Sequence, residues 1–454
     1  MKNRLSAILL VSVTLATPVV AAEYSGRIGG GAFTVTEQHV EPSAGEISND
    51  RQIIFGRAFL DVTEMGPYGN EFTLDLREKY DLFGTFDPTQ LQLTPSNDPA
   101  LRQLAIKLPS QNDGLFWSLG RFPVVDAAVL THDGAELGYR FTSRTKAGFF
   151  GGVRPERRDG KNLELSKELP QAGLYTVYHN RGDAKSAANY VAGSLVSSQE
   201  HETVLLADGT EREADTPQLR LYLNSFRHAD DQSEFVTTAY INVNPKAYLR
   251  TLSLLYAKEF DPKFTTRFSL YRFDVSQYPR IRDMREKLEA SAYTQGKVEA
   301  FHHLTKQTRL DYAAIYGTRS LDKLNRYEAS LGLRLAQLFT KRLDGRAGLG
   351  YRHNFTSNDV FVRFGAEYIQ RQFELYLDQQ YIVENRTNGS TLHPLITDIG
   401  MNLVIARQVF VGLAAQYAKD EEATVSSGLI QLNYRFSSQQ LTPLRDRPPP
   451  LEVL

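Results

Sequence analysis

Residues 396–417 read ITDIGMNLVIARQVFVGLAAQY. Ile399, Met401, Leu403 and Ile405 alternate with Asp398, Gly400, Asn402 and Val404; Val409, Val411, Leu413, Ala415 and Tyr417 then alternate with Gly412, Ala414 and Gln416. A period of two is the repeat of a β-strand, whose successive side chains point to opposite faces. Only Arg407 and Gln408 separate the runs, so the pair reads as a tight hairpin. The same pattern stands upstream. Val362, Phe364, Ala366 and Tyr368 alternate with Arg363, Gly365 and Glu367, and Tyr327, Ala329, Leu331, Leu333 and Leu335 with Glu328, Ser330, Gly332 and Arg334. One face is continuously apolar and the other mixes glycine with charge. A soluble sandwich would turn the apolar face to a second sheet, and a membrane barrel would turn it to lipid.

The spacing of the runs favours the barrel. Strands are expected near 23–37, 51–64, 71–82, 101–109, 115–124, 135–144, 146–156, 172–181, 186–198, 217–228, 233–243, 248–259, 264–276, 297–304, 309–319, 326–339, 346–355, 359–370, 372–383, 395–406, 409–418 and 425–436. That makes an all-β, antiparallel up-and-down transmembrane barrel of about 22 strands, within a range of about 16 to 22. Even-numbered connections are mostly tight. Odd-numbered ones are often long, as at 83–100, 157–171, 199–216, 277–296 and 384–394, whereas those near 244–247 and 356–358 are short. Short turns at one end and longer loops at the other are the pattern of outer-membrane barrels, with the N-terminus and the turns in the periplasm.

Composition and the N-terminus bound the rest. In 454 residues the net charge is −1, with 25 Phe, 23 Tyr and no Cys. The pI is near 6.8 and the mean hydropathy is −0.36. This balance supplies no field for a nucleic-acid partner, and without cysteine there is no disulfide, thiol nucleophile or thiolate-bound metal. Lys2 and Arg4 precede the apolar run LSAILLVSVTLA, and Val20 and Ala22 suit cleavage before Glu23, so residues 1–22 read as a secretory signal peptide. Residues 23–436 form the barrel.

The final run, GLIQLNYRF at 428–436, resembles the C-terminal β-signal of Gram-negative outer-membrane barrels. The resemblance rests on Gly428, Ile430, Leu432, Tyr434 and Phe436; it implies an outer-membrane, porin-like protein that is inserted by the barrel-assembly machinery. Such barrels usually stop at the aromatic. Here residues 437–454 follow, and PLRDRPPP favours polyproline II over any core, so they read as a periplasmic extension or as a docking segment for a periplasmic partner. A second stretch, LGRFPVVDAAVLTHDGAELGYRF at 119–141, resembles a hairpin of proteobacterial porin-like proteins. Asp133 and Gly134 would form a tight turn in it, and the apolar VVDAAVL needs burial, for which the lumen is the nearest place.

A barrel this wide usually holds a plug, yet strand patterning begins at about Tyr24 and leaves no room for one. Constriction then falls to loops and long side chains. The loop candidate is 279–296, where Ile281, Met284 and Leu288 share one face of a possible helix among Arg280, Arg282, Arg285 and Lys287. Strand parity turns Asp75, Arg77, Glu136, Arg140, Arg220, Asp311, Arg334, Arg363, Glu367, Glu374, Asp378, Asp398 and Arg435 inward as pore-lining candidates. Both signs are present, so much of the set is expected to pair across strands. His302 and His303 are adjacent in a strand and face opposite ways, and no spacing suggests a Ser-His site, so neither enzymatic chemistry nor a cofactor is expected. Asp208 and Gly209 suggest a hairpin tip. The functional readings are a channel for hydrophilic solutes in outer-membrane lipid, a dedicated conduit of a polysaccharide-export machine, or a surface adhesin or structural barrel.

Overall fold

The computed structural model describes residues 22–438 apart from 42–44, 67, 88–91, 110–113, 128–129, 156–168, 181–187, 206–210, 230–231, 245–246, 275–291 and 321. The first strands are β1 (Glu23–Glu41), β2 (Gly45–Met65), β3 (Asn70–Asp87), β4 (Gln92–Leu108), β5 (Gly114–Val124), β6 (Leu130–Arg140), β7 (Thr145–Val153) and β8 (Pro170–Asn180). Next come β9 (Ala188–Leu205), β10 (Glu211–His228), β11 (Ser233–Asn244), β12 (Tyr248–Asp261), β13 (Phe264–Asp274), β14 (Ala292–His303), β15 (Thr308–Arg319) and β16 (Asn325–Leu335). The last are β17 (Leu343–Asn354), β18 (Ser357–Ile369), β19 (Phe373–Arg386), β20 (Thr391–Leu392), β21 (Leu395–Ala406), β22 (Val409–Lys419) and β23 (Ala423–Ser437). β20 is a two-residue pairing onto β19 inside the β19–β21 connection, which leaves 22 staves.

Each stave pairs antiparallel with the next, and β1 also pairs with β23 from Ser25↔Ser437 to His39↔Ala423. The sheet closes. Closure gives every strand a partner on both sides, which a lipid environment requires of backbone N–H and C=O groups. The outer face is apolar and open: Leu349 is 58%, Phe364 57% and Leu119 58% exposed, with Leu174, Val191, Tyr316 and Ile430 among many others. No soluble protein tolerates so continuous an apolar exterior, whereas the hydrocarbon of a bilayer matches it.

Three expectations need correction. The connections at 83–100 and 199–216 are not long loops, because β3 and β4 stay paired to Asp87↔Gln92, and β9 and β10 to Leu205↔Glu211. Backbone pairing continues there without the apolar alternation, which marks only the lipid-facing part of a strand. Asp133 and Gly134 are not a turn. They lie inside β6, opposite Arg121 and Gly120, and the chain reverses between Val124 and Leu130. β14 begins at Ala292, five residues before its expected start at 297. The expected hairpin tip at Asp208 and Gly209, residues 1–21 of the expected signal peptide and residues 439–454 of the C-terminal extension lie outside the described residues. Ser437 still belongs to β23, and the Ser438 N–H donates to the Tyr24 carbonyl at 2.8 Å, so pairing outlasts Phe436.

The seam between β1 and β23 has its own side-chain fit. Gly26 is paired with Phe436, and the Phe436 ring lies over it so closely that a Cβ there would collide with the ring. Tyr434 stacks on Phe436 at 6.2 Å. We expect Gly26→Val to displace the ring and lower the fraction of protein that migrates as the compact, unheated form on a denaturing gel, with Phe436→Asp more severe. A normal compact band in both variants would contradict this role of the seam.

Candidate functional site: the lumen and its inward hairpin

Strand register puts all thirteen candidate residues on the face opposite the apolar one. On β15–β21 the charges form shared groups. Arg309 grips Asp311 with Nε at 2.6 Å and Nη2 at 3.1 Å, and Arg334 Nε reaches the same carboxylate at 2.7 Å. Arg346 holds Asp378 through Nε at 2.8 Å and a second contact from Nη2, and Arg363 Nε lies 3.4 Å from the same residue. Arg346 on β17 meets Asp378 on β19 only because Gly365 stands between them on β18; a Cβ at Gly365 would strike both side chains. Gln416 Nε2 donates to Asp398 at 2.7 Å. Glu367 and Glu374 lie on the same wall.

The other candidates are distributed around the ring. Asp75 is paired with Arg57 by two 3.0 Å hydrogen bonds, and Arg77 faces Arg57 across β2 and β3. Glu136 accepts from Ser118 Oγ at 2.9 Å and from the Tyr175 hydroxyl, Arg140 donates to the Ser143 carbonyl at 3.3 Å, and Arg435 lies 4.9 Å over the Phe410 ring. Arg220 is buried in the inner wall of β10. The constriction candidates Arg280, Arg282, Arg285 and Lys287 lie outside the described residues. Beyond the wall, the 387–394 and 420–422 connections are tied together. The His393 N–H donates to Glu421 Oε2 at 2.8 Å and its ring contacts Oε1 at 2.6 Å, and these bonds hold the Glu421 carboxyl below its usual range.

The described element that enters the lumen is the tip of the β5–β6 hairpin, and its cause is a line of three glycines. Gly120, Gly134 and Gly152 face one another across β5, β6 and β7. Gly120 has φ +116° and Gly152 φ +157°, and a Cβ at any of the three would collide with a neighbouring strand's carbonyl. Only glycine permits this backbone and this approach. Pairing between β4 and β5 ends at Leu104↔Arg121, while β4 continues with β3. The sheet splits there. Arg121 and Asp133 fall on the outward parity of β5 and β6, yet their side chains are 4% and 3% exposed. Arg121 bonds Asp133 with Nε at 2.5 Å and Nη2 at 2.6 Å, and its Nη1 donates to the Leu101 carbonyl at 2.8 Å. One bidentate ion pair thus fills the split.

Past this line the hairpin turns inward and covers part of the wall. Phe122, Val124 and Ala127 are buried against Phe150, Tyr175, Val177, Ala192 and Val196, with Leu130 and Tyr190 packed alongside. Val124 and Ala127 of the apolar run find burial on the inner face of β7–β9, whereas Val125 stays 62% exposed. Asp126 fastens the tip: Lys146 Nζ lies 2.5 Å from Oδ2, and the Tyr190 hydroxyl donates to Oδ1 at 3.2 Å. His132 sits beneath, fully buried, edge-on to Phe122 and Phe150 at 5.8 and 5.2 Å. Sequence reading missed the glycine line and the Arg121–Asp133 pair. The signal was present as glycines in LGR, HDGA and FGG, but their alignment depends on register across three strands.

No protein-family model matches the chain, and no curated protein matches it. Among solved structures, the matches include OccAB2 of Acinetobacter baumannii, with 11% identity, 92% of this chain and 98% of that chain covered, and a TM-score of 0.42. They also include OpdO of Pseudomonas aeruginosa, with 8% identity, coverages of 92% and 98%, and a TM-score of 0.42. A chain described as a bacterial polysaccharide outer membrane secretin matches 59% of this chain and 91% of its own, at 12% identity and a TM-score of 0.37.

Breaking either half of the Arg121–Asp133 pair leaves a buried charge alone, a loss of about 3–5 kcal/mol. Asp133→Ala should therefore unfold at clearly lower urea concentration in lipid vesicles than the parent. Arg334→Ala, which removes a half-exposed arginine from a carboxylate that keeps Arg309, should shift the midpoint by much less, in line with about 0–1 kcal/mol. Equal midpoints for the two variants would contradict the split-sheet geometry.

Proposed function

We propose that the protein is an outer-membrane channel of a Gram-negative bacterium that passes hydrophilic solutes with weak charge selectivity. The observation that carries this reading is the closed barrel, apolar outside and lined inside by charges of both signs. A lumen of 22 staves is wide enough for water and solutes, and the inward β5–β6 tip narrows it without replacing its polar lining. Paired arginines and carboxylates give polar walls with little net field, so ions of either sign can enter. The shared Arg–Asp groups keep long side chains folded against the wall. Gly428, Tyr434 and Phe436 would be read by the barrel-assembly machinery, and a periplasmic partner would engage residues 437–454.

The test is ionic current through purified protein in a planar lipid bilayer. Stepwise, ohmic conductance is expected, with a reversal potential near zero under a salt gradient. Asp126→Ala, which frees the inward tip, should raise conductance or add open-state fluctuations. Inserted barrels that carry no current would overturn the channel reading, and a reversal potential at the limit for a single ion would overturn weak selectivity.

A further inference from the structure

The two ends of the barrel treat their charges differently. At the end that holds the 387–394 and 420–422 connections they are paired: Arg319 Nη2 lies 2.5 Å from Asp322, Arg386 bonds both Glu384 and Glu422, and His393 bonds Glu421. The other end is where Tyr24 meets Ser438. Five successive turns there, from β12–β13 round to β21–β22, each carry a cation: Lys263, Lys306, Lys341 with Arg342, Arg371 and Arg407. All six side chains are exposed, and none has an ion-pair or hydrogen-bond partner among the described residues.

Neighbouring acids do little to neutralise them. Asp261 Oδ1 accepts from the Lys263 backbone N–H at 2.6 Å, and Asp344 Oδ1 from the Gln337 N–H at 3.0 Å. The turns at 304–307, 336–342, 370–372 and 407–408 contain no acid at all. Alternate turns stand two strand widths apart, about 10 Å, close to the Debye length at physiological salt, so their fields overlap along the arc. A chain of net charge −1 thus has one concentrated positive edge.

The neighbours of these cations show what the edge meets. Leu304, Phe339 and Ile405 each stand two residues before a cation and are 48%, 83% and 60% exposed. Leu304 shares the parity of Val298 on β14, and Ile405 that of Ile399 on β21, both open on the apolar face. Phe373, beside the Arg371 turn, stacks on Tyr368 at 5.5 Å. Apolar and aromatic side chains at the end of a lipid-facing strand mark the edge of the hydrocarbon, so cations two residues further on lie at headgroup level. A soluble acidic partner would match the cations and leave Phe339 in water. A lipid matches both, with phosphate on the cations and acyl chain on the apolar side chains.

We propose that this arc is a binding surface for anionic phospholipid headgroups, with phosphatidylglycerol as the type, and that acidic lipid gathers on the β12–β22 side of the barrel at the end that holds its termini. The surface is separate from the lumen and adds a lipid preference to the channel.

The experiment is fluorescence quenching by brominated lipids in vesicles that hold the folded, full-length chain. Trp117 is the chain's one tryptophan, so Trp117→Phe with Phe339→Trp moves the reporter into the arc beside Lys341 and Arg342. Quenching by dibrominated phosphatidylglycerol in competition with phosphatidylcholine gives a relative binding constant. A preference of at least about threefold for phosphatidylglycerol is expected at low salt, within the roughly fivefold that one Lys or Arg supplies near an anionic surface. Salt at about 0.5 M should reduce it. In the same reporter chain, Lys341→Gln with Arg342→Gln should bring the constant close to one, and Lys341→Glu with Arg342→Glu should reverse the preference. Quenching by dibrominated phosphatidylcholine alone verifies that each variant is inserted. A constant near one in the reporter chain would overturn the proposal and leave the cations to a soluble acidic partner. A preference that both charge variants retain in full would overturn it as well, since these turns would not be its source. Quenching needs no ion flow, so either result leaves the channel reading to be judged by conductance.

Discussion

Everything in this molecule depends on the pairing of β1 with β23. Without it the first and last staves would present two rows of unpaired backbone N–H and C=O groups to hydrocarbon, where each costs several kcal/mol. With it, a chain of net charge −1 and negative mean hydropathy becomes an object that is apolar only where it meets lipid. The side-chain ion pairs on the inner wall are minor beside this. Most are partly exposed and worth about 0–1 kcal/mol each, so they orient side chains more than they hold staves together.

Closure also sets up the internal asymmetry. A barrel of uniform staves would leave a wide lumen, and the chain reduces it by bending part of its own wall. The bend needs a place where strands can part without exposing polar groups. Gly120, Gly134 and Gly152 provide the backbone freedom, and Arg121 with Asp133 plugs the split against lipid. The result is two kinds of inner wall. On β15–β21 charges face open lumen and satisfy one another; on β7–β9 apolar side chains lie under a cover taken from the neighbouring hairpin.

Much of this was legible in the sequence because lipid enforces strict alternation. Along β18, Val362, Phe364 and Ala366 can only face outward, so Arg363 and Glu367 face inward. The face of a residue in the lipid-facing zone follows from counting. The limits were set where lipid ends. Beyond the bilayer β3–β4 and β9–β10 keep their hydrogen bonds but lose the apolar face, and they read as loops. Asp133-Gly134 read as a turn because local chemistry favours one there; the buried pair with Arg121 and the crowding against Gly152 override that preference. Register across three strands is a tertiary property, and no window on one strand contains it.

The central claim is that one face of each stave meets lipid and the other faces the lumen, which is open to water along β15–β21. The chain has no cysteine, so single cysteines can be placed at Val360, Val362, Phe364 and Ala366 and at Phe361, Arg363 and Glu367 of β18. Intact outer membranes would then be treated with a membrane-impermeant, water-soluble thiol reagent small enough to enter the lumen. Labelling at the odd positions and protection at the even ones is the predicted result. Labelling of both sets, or of the even set alone, would contradict the barrel as a water-filled channel.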